Sequence, residues 1–368
     1  MKILILSNYA NGLFLFRKEV ISSFIESNHE VIISIPQDEN CYKLENLGAR
    51  IVPCHLERRG MNPMKDFKLF LEYLNLLKAE KPDIILTYTI KPNLYGGLAA
   101  AIKKVPYLMN ITGLGTALEN PGLLGKALIL FYKLVTIKAD CVFFQNNGNM
   151  HFLHSHGIAQ KNSKLLPGSG VNLEEHPFEK YPSEENGIRI LAVLRVMKDK
   201  GIEEYLEAAQ MISSKYSNVS FELIGEYEED SREKYEPIIC NLQKQGLLKY
   251  YGHIDNVPEV MANSHIIVHP SYHEGLSNVC LEAAACGRPV LTTDIPGCRE
   301  TIHSTSGILF PARNRDALTS AIETILAYTP MQREAMGISG RKYVEDYYSR
   351  QLVVDIYQTA VSHLPLQK

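Results

Sequence analysis

Along the chain, short apolar runs rich in Ile, Val and Leu alternate with longer stretches whose apolar residues recur every three to four positions. The first kind reads as strands buried on both faces, the second as helices laid against them. The pattern predicts strands at Lys2–Ser7, Glu30–Ile35, near Arg50–Cys54, at Asp83–Thr87 and at Asp140–Gln145. Turn-rich sequence at Lys164–Gly170 and a polar linker, Asn172–Gly187, interrupt it. It resumes with strands at Ile188–Leu194, Ser220–Ile224, Leu248–Tyr251, Ile266–His269 and Pro289–Thr293. Helices are expected from about Leu13 to Ser27, Pro63 to Ala79, Ile202 to Lys215, Asn278 to Cys286, Ala317 to Ala327, Met331 to Asp346 and Ser349 to Ser362. Strands alternating with helices imply an α/β fold with parallel sheets. The 368 residues suffice for two such domains, 1–168 and 169–348.

The segment most loaded with chemistry is HIIVHPSYHEGLSNVCLEAAACGRPVLTTDIPGCRE, residues 265–300. It reads as strand, polar loop, helix and parallel strand, with Ser277 as N-cap and Gly287 and Pro289 as the stop. Glu274 stands in the loop and Glu282 in the helix's second turn, so both can face the carboxyl end of the sheet. Between them the amides of Ser277 and Asn278 are expected to be free, at the positive end of a helix dipole that attracts phosphate. Two acids beside a phosphate trap suit a ligand with an anionic part and hydroxyl groups, such as a nucleotide sugar. On spacing alone, a solvated loop glutamate and an ordinary helix glutamate are the favoured reading.

A second feature is RVMKDKG after the strand Ile188–Leu194, where Arg195 and Lys200 precede a helix start. Two cations there form an anion site, or else a solvated basic loop. In the first half, Asn11 and Gly12 belong to a loop after the first strand, and Gly12 permits close backbone approach. No G-x-G-x-x-G fingerprint is present, so a nicotinamide or flavin cofactor is not indicated. Lys91 and Asn93 stand at another strand end, as does Gln145.

The wording from His273 to Glu300 closely resembles the E-x7-E signature of the family 4 retaining glycosyltransferases, whose fold is GT-B. The R-x4-K pair of that family matches Arg195 and Lys200. A K-P-N-x-x-G phrase followed by a G-L-G turn, here Lys91–Gly96 and Gly113–Gly115, resembles capsular-polysaccharide and O-antigen glycosyltransferases. The resemblance implies two Rossmann-like domains with parallel sheets facing each other across a cleft, and a closing helix, about 349–368, crossing back onto the first. It implies Glu274, Arg195 and Lys200 as catalytic groups. Donor contacts are implied at Gly12, Gly225, His253, Ile254, Gly275, Leu276, Ser277, Asn278 and Glu282. Asn11, Lys91, Asn93, Thr112, Gly113 and Gln145 would line the acceptor side. The family often has histidine before the glycine turn, and Thr112, which carries no proton at neutral pH, departs from that.

The implied activity is retaining transfer of a hexose or N-acetylhexosamine from a UDP-sugar to a lipid-diphosphate-linked saccharide in surface polysaccharide synthesis. No cofactor and no metal are expected, in line with the absence of a D-x-D motif. A nucleotide-sugar epimerase and a non-catalytic sugar-nucleotide-binding subunit are the alternatives.

Charge changes this picture at one point. The chain's net −3 divides into +6 over residues 1–168 and −9 over the rest, so the basic half suits an anionic membrane or lipid-linked acceptor, or is simply a solvated surface. Nothing points to nucleic acid. LLGKALILFYKLVTIK, residues 123–138, reads as a helix that either lies on a membrane or packs in the core with its lysines to water, the second being favoured. His151, His154 and His156 have no carboxylate or cysteine beside them and are read as riding an ordinary helix. Seven scattered cysteines without a C-x-x-C pair imply neither a disulfide framework nor zinc, and a reducing cytoplasm. The apolar start ends after Leu6 with no cleavage site, so it reads as a strand rather than a leader. No apolar run approaches the roughly 18 residues of a membrane span.

Overall fold

The computed structural model describes residues 1–57, 62–114 and 122–363. Met1–Ser169 with the chain from Arg350 onward form one compact unit, and Gly170–Ser349 another.

The first unit holds strands β1 (Lys2–Leu6), β2 (Glu30–Ile35), β3 (Arg50–Pro53), β4 (Ile84–Tyr88), β5 (Tyr107–Ile111), β6 (Cys141–Phe144) and β7 (Ser163–Leu165). All are parallel, in the order β3-β2-β1-β4-β5-β6-β7. Ile3 of β1 lies beside Val31 of β2 on one side and Ile84 of β4 on the other. Successive side chains point to opposite faces, and both faces are covered. Ile3, Ile5, Ile33 and Leu86 pack under the helices Ala10–Glu26 and Arg350–Ser362. Leu4, Leu6, Ile85 and Met109 pack under Pro63–Glu80, Gly97–Lys103 and Leu123–Thr136.

The last helix completes this unit through polar as well as apolar contacts. Its Tyr357 hydroxyl donates to Asn110 Oδ1, its Arg350 pairs with Glu19 at 2.6 Å, and Gln358 donates to the Ser23 carbonyl at 2.9 Å. Arg17 is buried between the rings of Tyr88 and Tyr357, its guanidinium carbon 5.3 and 5.9 Å from their centroids.

The second unit holds β8 (Ile188–Val193), β9 (Val219–Ile224), β10 (Leu248–Gly252), β11 (Ile266–His269), β12 (Val290–Thr293) and β13 (Gly307–Phe310). They too are parallel, ordered β10-β9-β8-β11-β12-β13. The order reverses between β8 and β11, the topological switch point where open α/β sheets hold ligands at their strands' carboxyl ends.

Expectation and structure differ at several points. The first helix begins at Ala10 rather than Leu13, so Asn11 and Gly12 lie in its first turn instead of a loop. The strands β7 and β13 and the helix Arg232–Lys244, with Pro237 in its interior, have no counterpart in the pattern reading. Pro92–Gly96 forms a π-helical turn before the helix Gly97–Lys103. Gly115 lies outside the described residues.

Candidate active site

Two loops meet at the switch point of the second sheet, one following β8 and one following β11. After β8 the chain continues through Val196, whose amide donates to the Glu226 carbonyl at 2.8 Å, into a short 3-10 turn at Lys198–Lys200 and the helix Ile202–Lys215. After β11, the loop from Pro270 to Ser277 is tied back at its base. Tyr272 donates its amide to the Asp199 carbonyl at 2.9 Å, and Thr293 donates to the Ser271 carbonyl at 2.6 Å. The Tyr272 hydroxyl lies 2.6 and 2.7 Å from the two oxygens of Glu204.

These ties bring Lys200 and Glu274 together. Lys200 Nζ donates to Glu274 Oε1 at 2.6 Å, with side chains 18% and 15% exposed. His269, the buried last residue of β11, places Nε2 2.9 Å from the same oxygen. Burial alone would raise the Glu274 pKa, but the His269 hydrogen bond and the charges of His269 and Lys200 hold it well below the usual carboxylate range. Burial works against a charged His269, yet the neighbouring Cys280 and Glu274 together raise its pKa. The site therefore holds a fixed anion, with Oε1 between two donors.

Arg195 is not part of this cluster. Its Nη1 donates to Glu228 Oε2 at 2.7 Å, and the side chain is half exposed. The two expected cations thus stand on different carboxylates.

The helix Asn278–Ala285 is capped by Ser277, whose Oγ accepts from the Cys280 amide at 3.3 Å. One expectation is corrected here: the Ser277 amide is not free, since it donates to the Gly297 carbonyl at 2.7 Å. Gly297 comes this close because it adopts φ +87, and a Cβ there would lie 2.6 Å from the Glu274 carbonyl oxygen. At the same helix start Asn278 has its side-chain Oδ1, a hydrogen-bond acceptor, buried without a partner among the described residues. Leu276 is buried against Leu281, Ala284 and Val344. Gly275 and Glu282 are both half-buried.

Gly225 follows β9 with φ +144, and a Cβ would stand 1.8 Å from the Leu194 carbonyl oxygen, so only glycine fits where the turns after β8 and β9 touch. Its amide donates to the Gly252 carbonyl at 2.9 Å, which joins it to the turn holding His253 and Ile254. His253 is exposed, 3.8 Å from Glu226 and 3.7 Å from Asp255, while Ile254 packs on the cluster around Met261.

In the first unit the expected residues gather at strand ends β1, β4, β5 and β6. Asn11 Oδ1 accepts from Lys43 Nζ at 3.2 Å, and a Cβ on Gly12 would meet the Tyr9 ring at 3.0 Å. Lys91 forms a largely buried ion pair with Asp66 at 2.7 Å. Asn93 is 1% exposed: Thr87 donates to its Oδ1 at 2.7 Å and its Nδ2 donates to the Asn110 carbonyl at 2.8 Å. The π-helical turn directs it inward, so it fastens β4 to β5 instead of facing an acceptor. Thr112, Gly113 and Gln145 are half-buried after β5 and β6, and the Cβ position of Gly113 meets open space.

The pattern reading missed three groups. His269 looked like part of an apolar strand, its one signal being a polar ring at a strand's carboxyl end. Tyr272 and Glu204 pair across 68 residues, a spacing with no local signature. Thr89 adopts φ +72, a strained conformation for a β-branched residue, immediately after β4. The histidines 154 and 156 bond to Ser163 Oγ at 2.9 Å and the Phe152 carbonyl at 2.8 Å. Among the described residues no group of three or more His, Cys, Asp or Glu is placed to hold a metal ion.

Comparison with known proteins gives a consistent result. A family model described as glycosyl transferases group 1 matches residues 174–343, and one described as glycosyl transferase 4-like matches residues 2–146. The chain is 28% identical over 345 residues to the N,N'-diacetylbacillosaminyl-diphospho-undecaprenol alpha-1,3-N-acetylgalactosaminyltransferase of Campylobacter jejuni, covering 89% of each. It is 27% identical over 342 residues to the capsular polysaccharide biosynthesis glycosyltransferase CapM of Staphylococcus aureus, covering 89% of this chain and 88% of that one. The crystal structure of Anabaena HepE in complex with UDP matches with a TM-score of 0.82 at 17% identity, over 99% of this chain and 100% of that one, a likeness of fold.

Proposed function

The chain belongs to the glycosyltransferases of GT-B fold, and on that premise we propose that it transfers a hexose or N-acetylhexosamine from a UDP-sugar to a lipid-diphosphate-linked saccharide, with retention of configuration and without a metal ion. The observation that carries the reading is the placement of Lys200, Glu274 and His269 at the switch point of the second sheet. The UDP bound to Anabaena HepE and the undecaprenyl diphosphate acceptor named for the Campylobacter relative support the donor and acceptor classes.

Breaking the anomeric C–O bond leaves charge on the diphosphate and an oxocarbenium-like sugar, so catalysis needs fixed cations beside the leaving oxygen. In this reading Lys200 meets the diphosphate while keeping Glu274, and Arg195 exchanges Glu228 for a phosphate oxygen. Glu274, held at Oε1, presents Oε2 to the donor sugar, where it orients hydroxyls and opposes the developing positive charge. A carboxylate with so depressed a pKa is a poor proton carrier. The acceptor hydroxyl therefore attacks from the face that the diphosphate leaves, and its proton passes to the departing phosphate oxygen. The new C–O bond forms on the side of the broken one, which retains configuration. Glu282 accepts from the ribose hydroxyls, the backbone of Gly275, Leu276 and Asn278 meets phosphate, and Gly225, His253 and Ile254 border the base. Asn11, Lys91, Thr112, Gly113 and Gln145 make the acceptor side, and Gly12 borders the donor. A lipid-linked acceptor places the enzyme at the cytoplasmic face of a membrane.

The test is a thermal-shift screen of the purified chain against UDP, GDP, dTDP and ADP and their common sugars, repeated with Lys200→Ala and Glu282→Ala. UDP and one UDP-sugar are expected to raise the wild-type melting point, with little response from either variant. A wild type indifferent to every nucleotide would remove the donor site.

A further inference from the structure

We propose that Glu300 is a positioning residue for the donor diphosphate, acting through Gly297 on the backbone of the loop that runs from Glu274 to Asn278. The inference rests on the UDP-sugar reading above and adds a residue that touches no substrate. After β12 the chain turns sharply, with the Ile295 amide donating to the Thr293 carbonyl at 2.9 Å and a 3-10 turn following at Arg299–Thr301. Between the two, Gly297 is left-handed at φ +87 and presses on the donor loop. A Cβ there would lie 2.6 Å from the Glu274 carbonyl oxygen and 2.8 Å from that of Gly275. The Gly297 carbonyl accepts from the Ser277 amide at 2.7 Å, and the Gly297 amide donates to Glu300 Oε2 at 2.7 Å. Ser277, Gly297 and Glu300 thus form a relay from the loop to one carboxylate.

Glu300 is itself held. Its carbonyl accepts from the hydroxyls of Tyr348 at 2.6 Å and Tyr343 at 3.2 Å, the second in the last turns of the helix Pro330–Tyr347 and the first just beyond it. Tyr348 also packs against the apolar cluster that holds Leu276 of the same loop with Val171, Leu281 and Val344. The loop is therefore braced twice, by hydrogen bonds at Gly297 and by apolar contact at Leu276, and both braces end on Tyr348. An amide bound to a carboxylate is a charge-assisted hydrogen bond, stronger than a neutral one, which suits a glycine with no side chain of its own to fasten it. Charge separates this role from a bystander's. A carboxylate near a phosphate site opposes anion binding by its charge, so Glu300 favours UDP only through geometry. Removing the carboxylate from a bystander position would tighten UDP binding, and removing a positioning group weakens it.

The test compares the whole wild-type chain with Glu300→Gln, Glu300→Ala and Thr329→Ala. Thr329 caps the opposite end of the helix Pro330–Tyr347 through a capping box, so its replacement lowers stability without reaching the loop. UDP is titrated by calorimetry, and uridine, which lacks the diphosphate, by ligand-observed NMR. Glu300→Gln keeps an acceptor for the Gly297 amide and should bind UDP within about threefold of wild type. Glu300→Ala should lose about tenfold for UDP and leave uridine within about twofold. Thr329→Ala should melt lower yet bind both ligands like wild type. A Glu300→Ala variant that binds UDP as well as wild type, or more tightly, would overturn the proposal. So would a loss shared equally by uridine, or a Glu300→Gln variant that loses as much as Glu300→Ala, since either makes the side chain a general packing element. Wild type that binds no UDP would remove the donor reading itself, a result distinct from wild type that binds UDP beside an unaffected alanine variant.

Discussion

Lys200 Nζ lies 2.6 Å from Oε1 of Glu274, and that oxygen also faces His269 Nε2 at 2.9 Å. Two donors on one oxygen fix the carboxylate's orientation, and in the proposed reaction they leave the other oxygen to the donor sugar. Replacing Lys200 by Ala removes the cation proposed to meet the leaving diphosphate and leaves a largely buried carboxylate with one partner. We expect a loss of about 10²–10³ in kcat, measured by product formation with a UDP-sugar. A melting curve should register destabilisation of about 3 kcal/mol.

In the proposed reaction His269 acts only through Glu274, so its variants separate positioning from packing. His269→Leu removes the donor, whereas His269→Gln restores an N–H without a titratable charge. Gln should recover most of the activity that Leu loses, and steady-state kinetics on both variants decides. Equal losses would make the ring a packing element.

The same pair sets a pH dependence of stability. The raised His269 pKa contributes stability that is full below the ordinary value of 6.5 and is lost as pH rises through the folded value. The depressed Glu274 pKa contributes stability that is full above 4.5 and is lost as pH falls through its folded value. The melting-point difference between wild type and His269→Leu should therefore be largest between those two pH values and shrink on alkaline titration.

Asn93 and Ser277 test structural assignments. Asn93→Ala leaves the Thr87 hydroxyl and the Asn110 carbonyl without their partner, at a cost of about 2 kcal/mol. At roughly 2–4 °C per kcal/mol, the melting point should fall by about 4–8 °C. Ser277→Ala removes the N-cap, costs about 1 kcal/mol and should weaken UDP binding measured by calorimetry.

Gly225→Ala should be far more damaging, because the new methyl would overlap the Leu194 carbonyl oxygen and the backbone is left-handed. Soluble expression and circular dichroism would register it.

The alternation of strands and helices was legible because parallel strands covered on both faces read as continuous apolar runs. Ile266–His269 and Ile202–Lys215 fall at the expected residues. Legibility failed where tertiary contacts outweigh local chemistry. The Asn-Gly pair at positions 11–12 reads as a loop, yet packing beneath the helix carries it into the first turn. Asn93 has the sequence position of a ligand group, and a π-helical turn that no periodicity announces swings it inward. Glu274 was visible in its loop and His269 lies five residues before it at the end of the same strand, but Lys200 comes from the turn after β8, which only the sheet order brings beside them.

The helix Arg350–Ser362 gives the chain a temporal asymmetry. The sheet it covers, with Asn110 awaiting Tyr357, is built from the first 169 residues, and the helix is translated only after Gly170–Ser349. At ordinary elongation rates of about 5–20 residues per second, roughly 10–40 seconds separate the two events. During that interval the nascent first unit bears an uncovered apolar face where Val353, Val354 and Tyr357 will sit. A nascent-chain chaperone has its window there. A gene truncated after residue 349 would make that exposure permanent.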